Sequence, residues 1–188
     1  VRFENGTWKF TNDSDAKTLE NIDTNPNAFV KDKSATFLMK SKGMNMGIYI
    51  NPKEWVNYPT KINPAIEYTF LNKSADGEIV GMFTLEKLNI ATLKNLKEVL
   101  ISTIKSKSDY FKLITSEYRT VNNLKILYMR YKINTKGIDF EYEGYYYLND
   151  DGYCGLISFT SQKNFDKEKS KMDSFINCLV EHKLDPKA

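Results

Sequence analysis

Residues 125–135 and 139–148 are two alternating runs joined by a short turn, and the way they must pair constrains this chain more than any other feature. In one register Lys132 lies opposite Glu141 and Arg130 opposite Glu143, while Ile133 meets Phe140, Tyr131 meets Tyr142 and Leu127 meets Tyr146. A slip of one residue destroys both patterns, because successive side chains point to opposite faces. Each exposed ion pair contributes only ~0.2–1 kcal/mol, so burial of the apolar face sets the register. The next turn, Asn149-Asp150-Asp151-Gly152, carries an Asp-Gly signature and leads into a strand over 153–160. Ile157 and Phe159 of that strand share the apolar face with Tyr142 and Tyr146.

The opposite face is half apolar. Ile126, Tyr128, Tyr145, Tyr147, Cys154 and Leu156 cluster at one end of it, and the charge pairs occupy the other. A sheet with one apolar face and a second half-apolar face needs cover on both sides. Two helical patterns can supply that cover. Thr92 is an N-cap candidate, and Leu93, Leu96, Leu100 and Ile104 then fall on one face of a helix that ends in lysines. A closing helix over 165–183 is expected to bury Phe165, Met172, Phe175, Ile176 and Leu179. The fold class predicted is α+β: a mainly antiparallel sheet between helices, an α/β/α sandwich.

Earlier in the chain, residues 35–40 and 46–50 form a hairpin across Ser41-Lys42-Gly43, Trp55 follows Asn51-Pro52 in a turn or short helix, and residues 58–64 form a loop. Strands over 65–71 and 78–88 are split by a turn containing Asp76-Gly77, and another runs over 112–120. Residues 1–34 have a different texture, with a strand candidate at 7–10, then a polar stretch with one helical turn near 16–21. They read as an N-terminal extension, and 35–188 as one domain.

Composition removes several function classes. The net charge is +3, from 27 Lys and Arg against 24 Asp and Glu, and the three arginines are scattered at Arg2, Arg119 and Arg130. A nucleic-acid reader carries a clustered basic patch, so nucleic acid is not an expected partner. No run of residues is long and apolar enough for a membrane span. A start at Val1, without Met, is compatible with a mature form that has lost a signal or a lipid anchor lying outside this sequence. With one His, two Cys and no EF-hand, phosphate-binding or dinucleotide motif, no metal or cofactor is expected.

The candidate sites are few. His182 reads as a solvated helix-end cation, since nothing nearby completes a triad or a zinc site. Asp139, Glu141 and Glu143 share one face of a strand, but Glu141 and Glu143 have cationic partners across it, and Asp150 and Asp151 are turn residues. Cys154 and Cys178 are expected as two partly buried free thiols, with a disulfide as the alternative. Trp55, with Tyr49 and Tyr58, either lines a pocket or anchors its segment to the sheet. Catalysis would need a cleft gathering groups such as Glu67, Glu86 and Glu117. The surface that suggests function is Tyr128, Tyr145 and Tyr147 with Leu156. Left open, it makes an aromatic patch of the kind that marks partner contacts; covered, by residues 8–30 for instance, it is core.

The order of elements and the segment Gly47-Ile48-Tyr49-Ile50-Asn51-Pro52-Lys53-Glu54-Trp55 resemble the PsbP-like domain family. That family includes the photosystem extrinsic protein, DcrB-type bacterial envelope lipoproteins and type VI secretion effector chaperones. Val121-Asn122-Asn123 stands where the family often has Val-Asn-Gly, and residues 160–179 resemble its last strand-to-helix segment. The resemblance covers about residues 35–184. It implies a non-catalytic protein-binding or accessory module with no transferable active site. It also points to an extracytoplasmic location, in the periplasm or cell envelope, with a cytoplasmic chaperone role as the alternative. Gly6-Thr7-Trp8 resembles the Gly-x-Trp opening of lipocalins, which would imply a closed barrel carrying a small ligand.

Overall fold

A computed structural model describes residues 2–4, 7–9, 22–59, 63–74 and 78–183. Five strands follow the predicted pattern closely: β8 (Val80–Glu86), β9 (Tyr110–Val121), β10 (Leu124–Thr135), β11 (Ile138–Asn149) and β12 (Gly152–Ser161). The β10–β11 register is the one derived above, with Leu127 opposite Tyr146, Arg130 opposite Glu143 and Ile133 opposite Phe140. With β3 (Asp23–Phe29), β6 (Trp55–Asn57) and β7 (Ile66–Asn72), these make an eight-stranded sheet in the order β3-β9-β10-β11-β12-β8-β7-β6. All its pairings are antiparallel except β3 with β9. A three-stranded sheet of β4 (Phe37–Lys40), β5 (Met46–Ile50) and β13 (Leu179–Glu181), in the order β13-β5-β4, and a hairpin of β1 (Arg2–Glu4) and β2 (Thr7–Lys9) complete the strands.

Each face of the large sheet has its own cover. Helix α1 (Leu93–Ser106) opens where Thr92 Oγ1 accepts from the Asn95 N–H, the cap the sequence called for. Its Leu96, Val99 and Leu100 pack on Leu127, Met129, Tyr131, Tyr146 and Ile157. Helix α2 (Gln162–Ile176) and the three-stranded sheet lie on the other face. There Phe165, Met172, Phe175 and Ile176 join Met44, Met46 and Ile48 over Ile126, Tyr128, Tyr145 and Leu156. Burial of this kind contributes about 25 cal/mol per Å² of apolar surface, so two independent apolar layers anchor the sheet.

Several expectations are corrected. The large sheet is open, with β3 and β6 as its edges, so it is not a lipocalin barrel. Trp55 sits in a strand rather than a helix; it is buried, with its ring 4.4 Å from that of Phe175. The closing helix ends at Ile176, and beyond it the Asn177 and Leu179 carbonyls accept from Asn122 Nδ2 (2.8 and 2.7 Å). Leu179 is buried as foreseen, but in a strand opposite Ile48. Residues 23–29 add β3 to the large sheet as an edge strand, and the Asn122 N–H donates to the Phe29 carbonyl. The helical turn near 16–21 and the turn at Asp76-Gly77 lie outside the described residues.

Candidate functional site

The tyrosine surface, which the sequence left as either an open patch for a partner or covered core, is buried. Tyr128, Tyr145 and Leu156 are 2%, 1% and 0% exposed, and Tyr147 is half-buried at the margin of the same cluster. The half-apolar face had to be covered, and α2 with the small sheet covers it. The hydroxyls are satisfied internally. Tyr145 Oη donates to Asn177 Oδ1 (2.7 Å) and accepts from Arg119 Nη1 (3.2 Å), while Tyr128 Oη donates to Glu143 Oε2 (2.9 Å). The Arg119 guanidinium lies 3.6 Å from the Tyr128 ring centroid, a cation–π arrangement.

Under α2 the charges also arrange themselves differently from the strand register. Arg130 reaches diagonally to Glu141, with Nε donating to Oε1 at 2.7 Å. Glu143, fully buried, is left with Tyr128 and with Lys169 Nζ at 3.6 Å, the same Lys169 that holds Asp173 at 2.7 Å. Burial, and then the negative charge of Asp173, push the Glu143 carboxyl up to about 8.

The other candidates disperse. Glu86 and Glu117 lie on opposite faces of the sheet: Glu86 pairs with Tyr153 on the α1 side, Glu117 with Tyr128 on the α2 side. Glu67 Oε1 accepts from the Lys42 N–H. His182 follows β13, where its N–H donates to the Asn45 carbonyl. Both cysteines are buried and free. No group of three or more His, Cys, Asp or Glu among the described residues is placed to hold a metal. No helix among them is long and apolar enough to cross a membrane.

What the fold does create is a groove on the α1 side, with a volume of about 330 Å³. Its floor follows from strand periodicity. Tyr142, Gly144 and Tyr146 of β11 alternate onto the α1 side, as do Tyr153, Gly155 and Ile157 of β12, with Tyr146 opposite Gly155. A Cβ on Gly155 would stand 2.8 Å from Thr84 Oγ1 and 3.1 Å from the Tyr146 ring, so glycine lets that ring lie flat on the sheet. The C-terminal half of α1 forms the roof, through Leu100, Thr103, Ile104 and Lys107, and Tyr131 and Ile133 form one wall. Thr84 and Glu86 form the other, where Tyr153 Oη donates to Glu86 Oε2. Burial holds the Tyr131 and Tyr153 phenols far above their ordinary range and pushes those of Tyr142 and Tyr146 up to about 12, so all four stay neutral. Next to the lining residue Thr135, Ile138 continues this face and is 54% exposed.

Sequence reasoning put Tyr131, Tyr142, Tyr146 and Ile157 on the apolar face and asked for a helix over it, without saying which helix or how much of the face it would fill. The detectable signal was the pair of glycines at 144 and 155 in adjacent strands, which remove two side chains from beneath the helix.

No protein-family model matches this chain, and no curated protein sequence does. Solved structures match in fold. A Pseudomonas aeruginosa protein of unknown function superposes with a TM-score of 0.56 at 12% identity, over 70% of this chain and 99% of that one. The cyanobacterial PsbP (CyanoP) of Synechocystis gives a TM-score of 0.53 at 13% identity, over 80% of this chain and 95% of its own. The chain is an α+β protein with the PsbP-like α/β/α sandwich architecture.

Proposed function

We propose that this protein is a non-enzymatic binding module, an accessory protein that holds a partner protein at the groove between α1 and the large sheet. The observation that carries this reading is the groove itself: a 330 Å³ space with an apolar floor and roof and a few polar groups at its walls. Binding pockets have this character and begin at about this size. The exposed Ile138 extends the apolar face beyond the groove, as a docking protein would use it. Separation of Glu67, Glu86 and Glu117 supports a role without catalysis. A second reading, a carrier of a free small molecule, is favoured by the same volume, which suits a compact ligand. The location that accompanies the leading reading is extracytoplasmic, as for the envelope lipoproteins the sequence resembles, and fractionation of the native cells tests it.

The test of function compares the full chain with a Thr103→Trp variant in capture from native extracts. Thr103 is an exposed helix residue that lines the groove, so an indole there fills the space without disturbing the core. Stoichiometric capture that the variant loses supports docking in the groove. Equal capture by both sinks it. A small molecule that co-purifies only with the unsubstituted chain transfers the site to the carrier reading.

A further inference from the structure

Resting on the groove reading above, we propose that the groove selects a tryptophan side chain of the partner protein, an aromatic ring with a hydrogen-bond donor on its edge. The hydrogen-bond accounting of the walls comes first. Thr103 Oγ1 donates to the Val99 carbonyl (2.8 Å), Ser108 Oγ to the Ile104 carbonyl (2.7 Å), and Tyr153 Oη to Glu86. The Tyr131 and Tyr146 hydroxyls bond to one another. The Tyr131–Tyr146 bond uses one of their two hydrogens and the other hydrogens named are committed, so much of the wall offers lone pairs. The strongest acceptor is the Glu86 carboxylate, which is engaged only through Oε2 among the described residues. A hydrogen bond to an ionised acceptor is about twice as strong as a neutral one. The Tyr142 hydroxyl can turn to accept or donate. Among the described residues Lys107 is the one cation of the lining, and it is exposed.

Ring geometry narrows the class further. Tyr142 is sandwiched between Tyr131, at 5.2 Å and 11°, and Phe159, at 4.4 Å and 13°. Tyr131 has Phe111 as a second neighbour at 5.6 Å. With their faces covered, Tyr131 and Tyr142 turn ring edges to the groove. Those edges are electropositive and complement the negative face of an incoming ring, an interaction that aliphatic side chains cannot make. Phenylalanine brings the face without a donor. Tryptophan brings both, since its indole nitrogen only donates.

The experiment titrates the intact protein with N-acetyl-L-tryptophanamide and with the phenylalanine and leucine analogues, following the methyl resonances of Ile104, Ile133 and Ile157. The expected result is saturable shifts with the tryptophan amide, binding at least ~5-fold tighter than the phenylalanine amide, the margin one hydrogen bond supplies. Glu86→Gln keeps an acceptor for Tyr153 and removes the charge, and it should abolish most of that margin. Equal binding of the leucine or phenylalanine amide, no shifts with any amide, or an undiminished margin in Glu86→Gln overturns the proposal. The groove reading fails separately, if Thr103→Trp captures the partner as well as the unsubstituted chain.

Discussion

Glu143→Gln should change how stability depends on pH, and the size of the change follows from where the carboxyl sits. Glu143 is fully buried between β11 and α2, accepts from Tyr128, and faces Asp173 and Lys169 of the helix. Its pKa rises from an ordinary 4.5 to about 8, burial being the larger cause and Asp173 the next, with Lys169 acting in the opposite sense. The folded state therefore binds this proton more tightly than the unfolded chain. Its contribution is fully present below about pH 4.5 and is lost as pH rises through about 8. At ~1.4 kcal/mol per unit, the loss between about pH 5 and about pH 8 is roughly 3 kcal/mol. Glutamine keeps an oxygen for the Tyr128 hydroxyl and has no proton to lose. Urea unfolding of both proteins across this range should show the variant gaining on the wild type by roughly 3 kcal/mol as pH rises. Parallel stability curves, within about 0.5 kcal/mol at every pH, would refute the assignment of a buried, proton-holding carboxyl.

Tyr145→Ser should behave as a core substitution, costing about 3–5 kcal/mol and lowering the melting temperature by roughly 10 °C, readable by calorimetry; a shift of less than about 2 °C would return the residue to the surface. Asn122 holds three segments together, donating to the Asn177 and Leu179 carbonyls and accepting from the Lys31 N–H, at a φ of 47°. Asn122→Ala should therefore cost about 2–4 kcal/mol in chemical denaturation. Asn123, at a φ of 66°, should accept glycine with no loss of stability. Cys178, pushed up to about 12 by burial, and Cys154, pushed higher still by the same cause, should resist a thiol reagent in the native protein and react only on unfolding; fast native labelling of either would contradict their burial.

The segments most legible in the sequence are those whose side chains carry period and partner together. From Lys125 to Leu148, apolar opposite apolar and cation opposite anion left one register, and the structure has it. Thr92 capping α1 was equally legible, because a cap is a contact within four residues. Asn122-Asn123, where the resemblance led one to expect Asn-Gly, proves to be a turn with both residues at positive φ, which asparagine tolerates. The end of α2 was not legible. Phe165, Met172, Phe175, Ile176 and Leu179 keep a helical spacing, yet the helix stops at Ile176, where Asn122, some 55 residues away in sequence, takes the Asn177 carbonyl and Leu179 pairs with Ile48.

By itself, then, the sequence determined the pairing of the central strands, the two apolar faces and the need for a layer on each, since alternation and helical period are local properties of the chain. Only the tertiary structure decided which elements became those layers. Helix α2 and the small sheet seal the tyrosines of one face, while α1, shorter than the face it roofs, leaves a groove over Gly144 and Gly155 on the other. Burial and open space are properties of elements brought together from distant parts of the chain. A tyrosine beneath a helix and one beside a groove have the same sequence signature, and what covers each is decided by long-range packing.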